Sequence, residues 1–261
     1  AVLGVAYVGL WVVGPVAAMA LFIALTWFHW GQGDLYHLLA IRSETHLRTR
    51  FVRAATLFVR GGLPMLVPLV AFPTVYRRVV TAFVHVFRPD VAVGWPFDGL
   101  LRVGLGAGFA LATAGALALG RRYAPTSERA AAWRRDAIET VVLWVFFLVP
   151  PPTVAVGIYF TWWHAVRHVR RVLALDDCDD VRRVTVERLD RSGLRRFSRL
   201  ALMNTVGGLA IFAVLAVLVG TGGGLLRLAA VYLVAIAILT LPHAVVVTWL
   251  DGVQGVWQTG S

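Results

Sequence analysis

The sequence predicts an all-α protein, a polytopic transmembrane helix bundle of about six to seven membrane segments. Three observations carry this reading. The 261 residues are 59% hydrophobic, against roughly 45–50% in a soluble globular chain. Several apolar stretches approach the roughly twenty residues that cross a bilayer. All 25 basic residues are arginine, placed mostly between the hydrophobic stretches, and they set the net charge at +11. Arginine there marks membrane topology and meets anionic lipid headgroups. Nucleic acid is not expected as a partner, because no aromatic and basic residues interleave into a stacking groove.

Residues 1–28 are almost purely apolar and end in Leu25-Thr26-Trp27-Phe28, a membrane helix with an aromatic interfacial end. His29 to Asp34 follows, with Gly31 and Gly33 lowering helix propensity enough to predict a bend near His29. Segment 54–75 is weaker, and Pro64, Pro68 and Pro73 predict a kinked, short or re-entrant piece. Segment 76–98 carries five charged residues and reads as an interfacial amphipathic helix. Residues 100–120 form a span rich in small residues, suited to close helix contact. An arginine-rich loop occupies 121–135. The apolar run 137–163 is kinked or split by Pro150-Pro151-Pro152. Residues 167–199 read as a soluble loop holding an aspartate cluster and the single Cys178, with a short surface element at 184–189. Spans 200–220 and 225–249 close the chain, joined by a glycine-rich turn. The three basic loops do not all fall on one side if every segment crosses, and the proline-split segment is the one expected not to cross as a single helix. The whole is expected to be one integral membrane domain over 1–261, multi-pass in the cell membrane. Ala1 stands inside an apolar run, so one or more N-terminal helices of the full protein are expected upstream.

The chemistry-bearing stretch is Tyr159 to His168. His164 and His168 are four residues apart, so on a helix they share a face and can converge on one metal ion. They can equally be two interfacial histidines. His29 sits at the end of another apolar span in aromatic surroundings, which makes it a third candidate, because imidazole suits Fe, Zn, Cu and Ni and ionisable residues at membrane depth are functional candidates. His37 is eight residues beyond His29, too far to share an ion along a continuing helix. His46 reads as solvated, and His85 as an anchor for the interfacial helix. His243 is a weaker candidate beside Pro242. Ligating histidines usually donate their second N–H to a carboxylate or carbonyl. Asp34, Glu139 and Asp251 are the candidates for that role, or else helix-end carboxylates paired with arginine. Glu139 is the most suggestive, since a glutamate in hydrocarbon needs a partner.

Four stretches together resemble the Brp/Blh family of bacterial and archaeal beta-carotene 15,15'-dioxygenases. Trp27-Phe28-His29-Trp30-Gly31-Gln32-Gly33-Asp34 is similar to that family's aromatic-His-aromatic-Gly-x-x-Asp box. Arg60-Gly61-Gly62-Leu63-Pro64, with Pro68 and Phe72-Pro73, resembles its Arg-Gly-x-x-Pro segment. Tyr159-Phe160 through His168 matches its Tyr-Phe-x-x-Trp-His-x-x-Arg-His box. Leu241-Pro242-His243, with Trp249 and Asp251, resembles its last stretch. The resemblance implies an all-helical membrane enzyme that uses Fe(2+), held by His29, His164 and His168, and O2 to cleave beta-carotene centrally into two retinals, with a functional link to a microbial rhodopsin. The family's further ligand, in a Pro-His-Gly box, has no counterpart in this chain. It lies upstream of Ala1 or has been lost, and in the second case His243 is the remaining candidate.

Beta-carotene offers nothing to hydrogen-bond, so its selection calls for an apolar tunnel. Trp27, Phe28, Trp30, Trp144, Phe147, Tyr159, Phe160 and Trp163 are the candidate lining. No general acid or base is expected. A di-iron desaturase would need about eight histidines in several paired boxes such as His-x-x-His-His, whereas the chain has seven histidines and one His-x-x-x-His pair. Haem binding between facing spans and a non-catalytic carotenoid, retinal or rhodopsin-assembly role remain the alternatives.

Overall fold

The computed structural model describes residues 2–41, 45–94, 97–169, 191–219 and 224–253. Among them every regular element is helical. The chain forms two compact units: Ala1–Leu25 with Arg77–Trp95 and Glu187–Trp249, and Thr26–Tyr76 with Pro96–Val186 and Leu250–Ser261.

The expected first helix is two. Helix α1 spans Val2–Val13 and α2 spans Pro15–Tyr36, with Pro15 at a first helical position, where its missing N–H is not needed. The expected bend at His29 does not occur, because α2 runs through Gly31 and Gly33. These glycines serve close packing instead. A Cβ built on Gly31 would lie 2.2 Å from the Leu57 carbonyl oxygen, and one on Gly61 1.9 Å from that of Trp27. One on Gly62 would stand 2.6 Å from the Phe109 ring. The backbones of α2 and α3 (Arg50–Ala71) therefore touch.

Helix α3 is continuous, against the expectation for 54–75. Thr49 caps it, its Oγ1 accepting the Val52 N–H at 3.2 Å. Each internal proline removes one backbone bond, and the carbonyls so released, of Arg60 and Pro64, belong to residues buried in protein. The chain breaks at Phe72, and α4 spans Pro73–His85. It buries Val80, Phe83 and Val84 while Arg77 and Arg78 stay exposed, an amphipathic helix as read for 76–98, though shorter. His85 bonds the Val91 carbonyl through Nε2 at 3.0 Å.

Helix α5 spans Gly99–Arg122, capped by Asp98, whose Oδ1 accepts the Leu100 and Leu101 N–H groups at 3.0 Å each. Helix α6 spans Ser127–Leu148, so most of the loop expected at 121–135 is helical. Pro150 and Pro151 separate α6 from α7, Pro152–Ile158. A π-helical turn, Tyr159–His164, continues α7, and helix resumes to residue 169. Helix α8 spans Arg191–Val219, beginning inside the region expected to be loop, and α9 spans Gly224–Val253. The aspartate cluster, Cys178 and the element expected at 184–189 lie outside the described residues.

In the first unit, Trp11 stacks on Phe83 with ring centroids 6.0 Å apart, and Phe22 lies 5.8 Å from the same ring. The Tyr7 hydroxyl donates to the Ala18 carbonyl at 2.8 Å. In the second, α3 packs against α5 and α6. Among the described residues three helices are long and apolar enough to cross a membrane: Arg50–Ala71, Gly99–Arg122 and Arg227–Val253.

Gly31→Ala and Gly61→Ala should each destabilise the protein by at least the 1–3 kcal/mol typical of overpacking (about that range), read as a lower thermal midpoint in detergent. Gly108→Ala, with nothing within 4 Å of its built Cβ, should leave the midpoint unchanged or raise it. Equal effects at all three positions would remove close helix approach as the reason for these glycines.

Candidate functional site

The second unit gathers the three histidines singled out by sequence. The imidazole centroids of His29 and His164 lie 5.1 Å apart, those of His29 and His168 6.3 Å, and those of His164 and His168 6.2 Å. His29 and His164 are buried and His168 is half-buried. Two local features bring them together. The π-turn adds a residue to one helical loop, the Ala165 N–H reaching back to the Phe160 carbonyl, and such turns recur at functional sites. On α2, Gly33 is one turn beyond His29, and a Cβ there would lie 3.4 Å from His164 Cε1. The bare glycine lets the imidazole lie across the helix.

The donor chemistry suits a metal. A ring nitrogen about 2.1 Å from an ion puts the ring centre about 3.2 Å away, so neighbouring ligands have centres about 4.5–5.3 Å apart. The His29–His164 spacing falls in that range, and His168 stands about an ångström further out. Among the described residues, no three His, Cys, Asp or Glu side chains are arranged to hold a metal ion directly. The three rings are neighbours.

Beside the imidazoles lies a buried ion network in which Asp34 and Glu139 take the arginine pairing read as their alternative, with a hub, Arg60, that the sequence reading missed. Arg60, fully buried on α3, reaches Asp136 on α6 at 2.5 Å, Glu139 at 3.2 Å and Asp34 on α2 at 3.6 Å. Arg167, between the two ring-bearing residues His164 and His168, pairs with Asp34 at 2.8 Å and with Glu139 at 3.2 Å. Its guanidinium lies 4.0 Å over the Trp163 ring, whose indole N–H donates to Asp34 Oδ1 at 3.2 Å. His46, expected in solvent, is fully buried, with Nε2 3.1 Å from Asp136 Oδ2. The missed signal was Arg60 itself, an ionisable residue inside an apolar segment.

Of the expected carboxylates, Asp34 and Glu139 are thus held by arginines. Asp251 is fully buried near the end of α9. His243 is exposed on α9 and belongs to the first unit. The aromatic candidates divide. Trp30 lies 5.6 Å from His164, 5.1 Å from Tyr159 and 6.2 Å from Phe160, and Phe160 lies 6.1 Å from His164. Phe147 backs Tyr159 at 5.2 Å. Trp27 and Trp144 instead pack on Phe109, at 6.1 and 5.4 Å, with Trp27 Nε1 donating to the Phe58 carbonyl at 2.8 Å. Phe28 is exposed.

Helices long enough to span a bilayer, a buried ion network and gathered imidazoles define an all-α, membrane-associated protein with a histidine-lined interior site. The chain belongs to the Brp/Blh family: the family model for beta-carotene 15,15'-dioxygenase matches residues 1–251. It is 49% identical over 261 residues to "Probable beta-carotene 15,15'-dioxygenase Blh" of Halobacterium salinarum strain NRC-1, covering 98% of this chain and 73% of that protein. It is 33% identical over 265 residues to "Probable beta-carotene 15,15'-dioxygenase Brp" of strain R1, covering 97% and 73%. No solved structure matches the chain.

Asp34→Asn should cost about 3–5 kcal/mol, since breaking a buried pair leaves Arg60 and Arg167 undercompensated. Thermal unfolding checks it. Asp90→Asn, in an exposed pair with Arg88, should fall within about 0.5 kcal/mol of the parent. A neutral Asp34→Asn result would make the network dispensable.

Proposed function

We propose that this chain cleaves the central 15,15' double bond of beta-carotene with O2, giving two all-trans-retinals, at an Fe(2+) held by His29, His164 and His168. Membership of the family supports a carotenoid-cleaving oxygenase function. The observation that carries the finer reading is the gathering of three imidazoles from two helices beside the exposed Phe160 and the buried Trp30 and Tyr159. One carotene and one O2 supply every atom of two retinals, so no external reductant is needed. When bound, the iron would supply the O2 activation that carbon and nitrogen groups alone do not.

The protein's own part is placement. Beta-carotene is recognised only by apolar and aromatic surface, and Trp30, Tyr159 and Phe160 offer that surface next to His164. Burial of His29 and His164 keeps water from the reacting centre. Asp34, pinned by Arg60, Arg167 and Trp163, holds the helix bearing His29 against the one bearing His164 and His168. As one multi-pass integral domain of the cell membrane, the enzyme would draw its substrate from the bilayer, and retinal would be available to a microbial rhodopsin.

Expression of the protein in a beta-carotene-producing host should bleach the colour and accumulate retinal, measured by chromatography. His164→Ala or His168→Ala should lower retinal formation at least a hundredfold and reduce the iron retained by purified protein. Unchanged carotene with well-folded protein would favour the second reading, a non-catalytic carotenoid or retinal carrier, in line with the wider spacing of the His168 ring.

A further inference from the structure

A second candidate site lies in the same unit, at the end where α3 begins and α5 finishes. A cleft of about 630 Å³ opens there, lined by Arg48, Arg50, Arg122 and Arg129 with Thr49 and Tyr123 among its other walls. Four arginines line one space and no carboxylate does. None of the four has an acidic partner among the described residues, while elsewhere in this unit Arg60 and Arg167 are ion-paired with carboxylates. Like charges gathered around one cleft raise a positive potential there, which draws an anion.

Its position narrows the anion. Helices α3 and α5 are both long and apolar enough to cross a membrane, and the cleft draws on the first residues of one and the last of the other. It therefore falls at the level where headgroups lie. Phe51, also in its wall, is 81% exposed, an aromatic placed to enter the interface beside the charges. Guanidinium matches phosphate oxygens in a fork geometry that an ammonium does not offer.

We infer that the Arg48–Arg50–Arg122–Arg129 cleft binds a phosphate-bearing anion, with an anionic phospholipid headgroup as the source that its place in the fold favours. The site is separate from the imidazoles and acts as an anchor that fixes the ends of α3, α5 and α6 to a charged leaflet.

The test uses the full chain in neutral detergent and reads thermal unfolding and native mass spectrometry. Short-chain phosphatidylglycerol should raise the unfolding midpoint saturably and remain bound in the mass spectrum, whereas short-chain phosphatidylcholine should do neither. Arg122→Gln with Arg129→Gln should weaken the apparent affinity roughly thirtyfold, at about 1 kcal/mol per arginine near an anionic lipid. Arg78→Gln with Arg134→Gln removes the same charge elsewhere and should leave the affinity unchanged. Inorganic phosphate that gives the full shift and displaces the lipid would uphold the site with a free anion as its ligand. Equal response to phosphatidylcholine, an unaltered affinity in the cleft variant, or an equal loss in the charge-matched variant would overturn the inference.

Discussion

The structure depends on one buried arginine. Arg60 is completely removed from solvent, and an isolated cation there would cost far more than the fold could supply. It is tolerated because α2 and α6 bring Asp34, Asp136 and Glu139 to it, and because Arg167 shares two of those carboxylates. Such a set gains little over well-packed hydrocarbon, yet it has few geometries in which every charge is met. That makes it a device for register. It sets which turn of α2 faces which turn of the helix after α7.

Register is what the imidazoles need. Asp34 lies five residues past His29, while Trp163 and Arg167 flank His164 and precede His168. The ionic contacts and the ring contacts are therefore two readings of the same helix-to-helix alignment. The glycines at 31 and 61 set the backbone separation of α2 and α3, and Gly33 clears the path of the His164 ring. Separation comes from missing side chains, and alignment from charged ones.

Aromatic residues do two jobs. Trp27, Phe58, Phe109 and Trp144 fill the packing between α2, α3, α5 and α6, whereas Trp30 and Phe160 flank His164 and Tyr159 backs Trp30. Trp163 joins the second group to the ion network, since it stacks on Tyr159 at 6.4 Å, its ring carries the Arg167 guanidinium and its N–H is committed to Asp34.

The sequence by itself determined the helical, membrane-associated class, the split at Pro150–Pro152 and the family, and it singled out three histidines as candidates, because hydrophobic runs, proline and short motifs act through local chemistry. It misjudged Gly31 and Gly33 as a bend and His46 as solvated, and it did not foresee that the helix would run unbroken through Pro64 and Pro68. In each case the deciding partner is distant in sequence: Leu57 for Gly31, Trp27 for Gly61, Asp136 for His46. Propensity and spacing carry no term for such neighbours. Only the tertiary structure decided that Arg60 is a hub and that a π-turn carries His164 toward His29, because both follow from which helices touch.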